Sequence, residues 1–139
     1  MVNARYQLAK SAAEAVVGDH QEFLVADDAA MSLRILHHLP DRANLAVQLE
    51  GGQFTVNIGD HTYFDEDIED PEGAALEVGH LVLTVLQGHL KETAWRHNDA
   101  VVVSSIKSTE TGFGSWTRRS LRPKFLCTKS SRWFEPYVP

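Results

Sequence analysis

The segment Leu45–Ile58 constrains the fold more than any other stretch of this chain. Leu45, Val47 and Leu49 alternate with Ala46, Gln48 and Glu50; after Gly51-Gly52, Phe54, Val56 and Ile58 alternate with Gln53, Thr55 and Asn57. A period of two puts each apolar set on one face of a strand. A two-residue turn between them needs positive φ, which glycine adopts without a Cβ penalty. The register then pairs Leu49 with Phe54, Val47 with Val56 and Leu45 with Ile58 on one face, with the polar residues on the other. Gly59-Asp60 offers a second turn into His61–Phe64, extending the hairpin to a meander. A sheet that is apolar on one side needs another layer to cover it.

Helical patterns supply that layer. Asp70 is placed to cap the orphan amides of a helix and Pro71 to fill its first position. The spacing predicts a helix from there to about Arg96. Glu77, His80, Thr84, Gln87 and Lys91 form its polar stripe, and Ala75, Leu76, Val78, Val82, Leu83, Val85, Leu86 and Leu90 form the apolar arc. Ala4–Val17 predicts an N-terminal helix with Leu8, Ala9, Ala12 and Val16 on one face and Gly18-Asp19 at its end. Glu22–Leu39 is ambiguous between strand and helix. Glu22–Ala26 suits a short strand and Asp28–His38 a helix stopped by Pro40, with one helix over His20–Leu39 as the alternative.

Downstream, Val101–Ile106 reads as a strand and Thr109–Ser115 as a glycine-rich connection. Leu121–Thr128 reads as a last strand, at an edge because of Pro123, and Ser130–Pro139 as an extended tail. The expected fold is one α+β domain over residues 1–139. It is an antiparallel β-meander sheet with a long amphipathic helix packed on one face and an N-terminal helical segment.

Composition removes several classes. The chain has 139 residues, 43% hydrophobic and 23% charged, which is ordinary globular usage rather than that of disordered or fibrous chains. Cys127 is the only cysteine, which precludes an internal disulfide and a cysteine-based zinc site. Leu76–Leu90 carries Glu77, His80 and Gln87 and does not read as a membrane span. Met1–Val17 lacks a secretory signature, so a cytoplasmic protein without membrane attachment is expected.

Most chemical motifs fail on their own requirements. A calcium loop starting at Asp65 would have Asp70 where glycine is needed and Leu76 at the twelfth position. Gly112-Phe113-Gly114 begins a dinucleotide fingerprint, but Thr117 stands at the third glycine. Cys127 has Lys124 and Lys129 nearby but no oriented histidine. Glu77 with His80, and His89 with Glu92, each offer two metal ligands without a third. No catalytic set, metal site or cofactor is therefore expected.

Charge is distributed unevenly. Residues 1–92 hold 16 of the 19 acids and 5 of the 13 lysines and arginines; residues 93–139 hold 3 acids and 8 bases. Nine carboxylates gather around 60–77, counting Glu50 from the hairpin. A rigid acidic face steers association with a basic partner, as in nuclease inhibitors and small secretion chaperones. Asp65, Glu66, Asp67, Glu69 and Asp70 are its expected contacts. From Trp116 to Tyr137, basic and aromatic residues interleave, and Trp116, Arg118, Arg119 and Trp133 are candidates for a second contact or a homodimer surface. Single-stranded nucleic acid also favours such a pattern, but the net charge of −6 weighs against it. The expected function is non-enzymatic protein binding, as an inhibitor, immunity-like or accessory protein that presents its acidic face to a basic protein. The alternative is a small enzyme or ligand-binding protein with a pocket between sheet and helix near His61, Tyr63 and His89.

Overall fold

A computed structural model describes residues 3–120 and 122–138 of the chain. The central hairpin forms in the predicted register. Strands β3 (Leu45–Gln48) and β4 (Thr55–Ile58) pair Leu45 with Ile58 and Val47 with Val56, and Leu49 and Phe54 are fully buried beyond the strand ends. Strand β5 (Thr62–Asp65) continues the meander through Gly59, whose φ of 75° requires glycine.

The short strand expected over Glu22–Ala26 forms as β1 (Leu24–Asp27), but the segment expected as a helix at Asp28–His38 is instead a turn followed by β2 (Ser32–Ile35). Tertiary pairing overrides the local helical pattern. Leu33 lies opposite Val47 and Ile35 opposite Leu45, so a period of two buries both, where a helix would leave the β3 edge unpaired. Asp27 caps the turn, accepting from the Ala30 amide at 3.2 Å. The result is a five-stranded antiparallel sheet in the order β1-β2-β3-β4-β5.

Two helices cover one face of this sheet. Helix α1 (Ala4–Val17) has the predicted bounds, and Asn3 caps it. Its buried face is Arg5, Tyr6, Ala9, Ala13 and Val17, rotated from the expected stripe, and Leu8 is exposed. Helix α2 (Pro71–Gln87) starts as predicted, with Asp70 accepting from the Gly73 amide at 2.7 Å. It ends at Gln87 instead of near Arg96, because the residues after Gly88 pair as a strand. A Cβ at Gly88 would lie 2.7 Å from the Ser108 hydroxyl and from the Thr84 carbonyl, so only glycine allows this close exit. Val78, Leu81, Val82 and Val85 of α2 pack with α1 and the meander into one core. Leu76, expected in the apolar arc, is 77% exposed and forms a shallow apolar groove with Leu8, Ala12 and Val16.

The remaining strands make a second antiparallel sheet in the order β8-β7-β6-β9. They are β6 (Leu90–His97), β7 (Ala100–Ser108), β8 (Gly114–Arg118) and β9 (Thr128–Phe134). The last strand therefore begins where Leu121–Thr128 was expected to end. Lys124–Leu126 is a single 3-10 turn, and Leu121 itself lies outside the described residues. Leu90, Ile106 and Phe134 turn inward to join the main core. Residues expected as an extended tail are anchored here. Ser130–Phe134 belong to β9, and the buried Tyr137 hydroxyl reaches the Ala43 carbonyl at 2.6 Å. The Val138 amide bonds the Leu86 carbonyl at 2.9 Å.

Candidate functional site

The acidic segment connects β5 to α2 and lies against the β3–β4 turn. Gly52, Gln53, Phe54 and Thr55 on one side and Asp65, Glu66 and Asp67 on the other line an open groove of about 560 Å³. The Glu66 amide bonds the Phe54 carbonyl at 2.9 Å, and the Asp65 carboxylate accepts from the Thr55 hydroxyl at 2.7 Å. Burial, and then repulsion from Glu77, push the Glu66 carboxyl above its ordinary value. Asp70 is occupied as the cap of α2. Asp67 and Glu69 are exposed and take part in no ion pair among the described residues.

Beneath this segment sits a cation that sequence reasoning missed. Arg5 is 6% exposed, and its guanidinium donates to the carbonyls of Ile68, Leu49, Gly51 and Gln53 at 2.6–2.8 Å. It ties α1 to both walls of the groove. Within the α1 pattern it reads as one charged residue near a helix start, because its acceptors come from backbone 44–63 residues away.

Three residues proposed for a pocket are not brought together. His61 lies at the β4–β5 turn, where Arg96 donates to its Nε2 at 3.0 Å, which puts the ring proton on Nδ1. The adjoining cavity is about 90 Å³ and is lined by Asp60, Glu92, Arg132 and Ser130 among others. Tyr63 has its ring under the Arg119 guanidinium, 5.1 Å from the centroid, and is 40% exposed. His89 stands at the other end of β6, roughly 20 Å along the strand from Arg96.

His89 also lies outside the helix expected to run to about Arg96. It follows Gly88, where the chain has left α2, and its half-exposed ring bridges two carboxylates. Glu110 lies 2.6 Å from Nδ1 and Glu135 lies 3.3 Å from Nε2. The two acids occupy opposite ring nitrogens, so they clasp the imidazole instead of converging on a cation. The Glu110 bond is the main cause raising the His89 pKa above its ordinary 6.5, and the same bond holds Glu110 down to about 2. The stabilisation due to His89 is complete below pH 6.5 and is lost as pH rises through its raised folded value. That due to Glu110 is complete above its ordinary 4.5 and is lost as pH falls towards 2. His89→Gln should therefore lower the thermal midpoint most between about pH 4.5 and 6.5. A melting series to pH 9 should show the gap from the parent closing; a gap independent of pH would dismiss the ion pair.

The basic–aromatic residues separate by strand direction. Trp116 and Arg118 of β8 and Trp133 of β9 lie on the outward side of the second sheet, Trp116 65% and Trp133 58% exposed. Arg119 follows β8 and bonds the His61 carbonyl. Trp95 of β6 joins the outward side, with Lys124 at 4.2 Å and Lys129 at 5.8 Å from its ring centroid. Sequence reasoning missed Trp95 because it treated Leu90–Arg96 as helix; the alternation of Lys91, Thr93 and Trp95 with Leu90, Glu92 and Ala94 carries the signal.

Fold and surface together define an α+β domain of two antiparallel sheets and two helices, with acidic and basic–aromatic regions on different elements. Comparison with protein-family models, curated proteins and solved structures finds no match to this chain.

Proposed function

We propose that this chain is a non-catalytic protein-binding domain whose acidic groove receives a basic segment of a partner protein, as an inhibitor, immunity-like or accessory protein would. The observation that carries this reading is the groove between the β3–β4 turn and the β5–α2 connection. Asp65, Glu66 and Asp67 line one wall of it, Glu69 lies beyond, and the nearby Arg5 guanidinium is consumed by backbone carbonyls. A carboxylate wall without a competing cation steers and orients a lysine- or arginine-rich segment.

Asp65→Asn, Asp67→Asn and Glu69→Gln combined should weaken binding of a fluorescein-labelled arginine-rich peptide at least roughly tenfold in anisotropy titrations. The thermal midpoint should hold, because the first of these changes leaves an amide oxygen to accept from Thr55 and the capping Asp70 is untouched. The same variant should release any basic protein that the parent captures from cell lysate. Equal peptide affinity for parent and variant would sink the reading.

A further inference from the structure

We propose that the outward face of the four-stranded sheet binds single-stranded nucleic acid, independently of the acidic groove. The side chains on this face fall into three cross-strand rows, and each row carries one of the chain's three tryptophans. Trp116 is in register with Ser105, Thr93 and Ser131. Trp133 shares the next row with Lys91 and Lys107, and Trp95 shares the row on the other side with Arg118, Val103 and Lys129. Rows two residues apart are about 7 Å apart along the strands. Each outer row thus sets two cations beside one indole, and the middle row sets an indole beside three hydroxyls. No carboxylate occurs in any of them.

This local charge complements a polyanion even though the whole chain carries −6. Fifteen of the 19 acids lie in the first sheet, its turns, the two helices and the connections between them; of the four in the second sheet, Glu92 points inward and is buried, and Asp99, Glu110 and Glu135 stand in turns or beyond the end of β9. Protein interfaces have cores depleted of lysine and centred on packed anchors. Here lysine dominates; Trp116 and Trp133 stand apart and exposed, Trp95 is partly covered by two lysines, and Val103 and Thr93 between them are buried. Single strands need the reverse: separated aromatic faces for bases and mobile cations for phosphates. Lys91 over Trp133 at 5.6 Å, and Lys124 and Lys129 over Trp95, already stand beside two of the rings. Trp116 carries no such cation among the described residues and is the most exposed of the three, so it offers the freest stacking face. Arg118 is the one planar bidentate donor in these rows, and its guanidinium is donating to the Ser120 and Arg122 carbonyls, so little sequence preference follows.

All three tryptophans lie on this face, so intrinsic fluorescence of the intact chain reports on it directly. A twelve-nucleotide oligothymidylate should quench the emission saturably, and affinity should fall about fiftyfold from 50 to 200 mM salt if four phosphates are contacted. Trp116→Ala should weaken binding about tenfold with an unchanged thermal midpoint. The Asp65, Asp67 and Glu69 neutralised variant should bind the oligonucleotide at least as well as the parent, so failure here and failure of the acidic-groove reading are separable. Absence of quenching, equal affinity for polyglutamate, or no effect of Trp116→Ala would each overturn the proposal; the polyglutamate result would assign the face to acidic protein instead.

Discussion

Arg5→Ala is expected to lower the unfolding free energy by about 3–5 kcal/mol, because one buried and three part-buried carbonyls lose their donor at about 1–3 kcal/mol for a fully buried group and less where water reaches. Four carbonyls lose their donor together, those of Leu49, Gly51, Gln53 and Ile68. They belong to a turn and a connection where no strand ladder supplies a replacement. Buried carbonyls left unpaired cost more than the net value of each bond. Arg5→Lys keeps the charge but not the planar fork, and a single ammonium cannot reach all four acceptors. It should recover less than half of the loss. Urea unfolding of the parent and both variants measures this, with the slope against denaturant expected to hold. A loss under about 1 kcal/mol would mean that water replaces the guanidinium without difficulty. The groove walls share this anchor, so Arg5→Ala should also weaken binding of the arginine-rich peptide at temperatures below the melting transition.

Glu92→Ala is the second large loss, about 3 kcal/mol or more. Glu92 is 3% exposed and accepts from the amides of Asp60 and His61 at 2.8 and 3.0 Å and from the Thr62 hydroxyl at 2.7 Å. It projects from the second sheet and holds the β4–β5 turn of the first. Among the described residues the two sheets share no strand pairing; Thr117 reinforces their contact by accepting from the Tyr63 amide at 2.9 Å and donating to its carbonyl. Glu92→Gln is nearly isosteric, but its amide nitrogen would face donors, so it should recover only part of the stability. The thermal midpoint and hydrogen exchange at Asp60 and His61 read this out, the two amides losing protection first. Protection unchanged in Glu92→Ala would show that the turn is held by its own geometry. At Gly59 a Cβ would lie 2.9 Å from Ile106 Cδ1 and 3.0 Å from the Glu92 carboxylate, so the turn, the carboxylate and the core are closely packed together.

The parts legible in sequence are those whose cause is local. The β3–β4 register follows from alternation on both sides of Gly51-Gly52, and the start of α2 from Asp70-Pro71. The acidic segment was also legible as an exposed connection, because nothing apolar in it demands burial except Ile68. The misread segments have local patterns that agree with two structures. Asp28–His38 satisfies a helical spacing until Leu33 and Ile35 meet Val47 and Leu45. Leu90–Arg96 continues the apolar arc of α2 until β7 and β9 pair with it on either side. In both places long-range backbone pairing outweighs a propensity difference of tenths of a kcal/mol per residue.

By itself the sequence determined an α+β chain with a one-sided meander, two covering helices and opposite charge in its two parts. Periodicity, capping and glycine turns act over a few residues and are visible in one dimension. Only the tertiary structure decided that there are two sheets, that all three tryptophans share one open face, and that Arg5 and Glu92 are buried structural ties. The Arg5 and Glu92 ties and the pairing of β6 with β9 depend on partners more than 30 residues away in the chain, and burial makes a single ionic side chain decisive only once its distant acceptors or donors have been assembled around it.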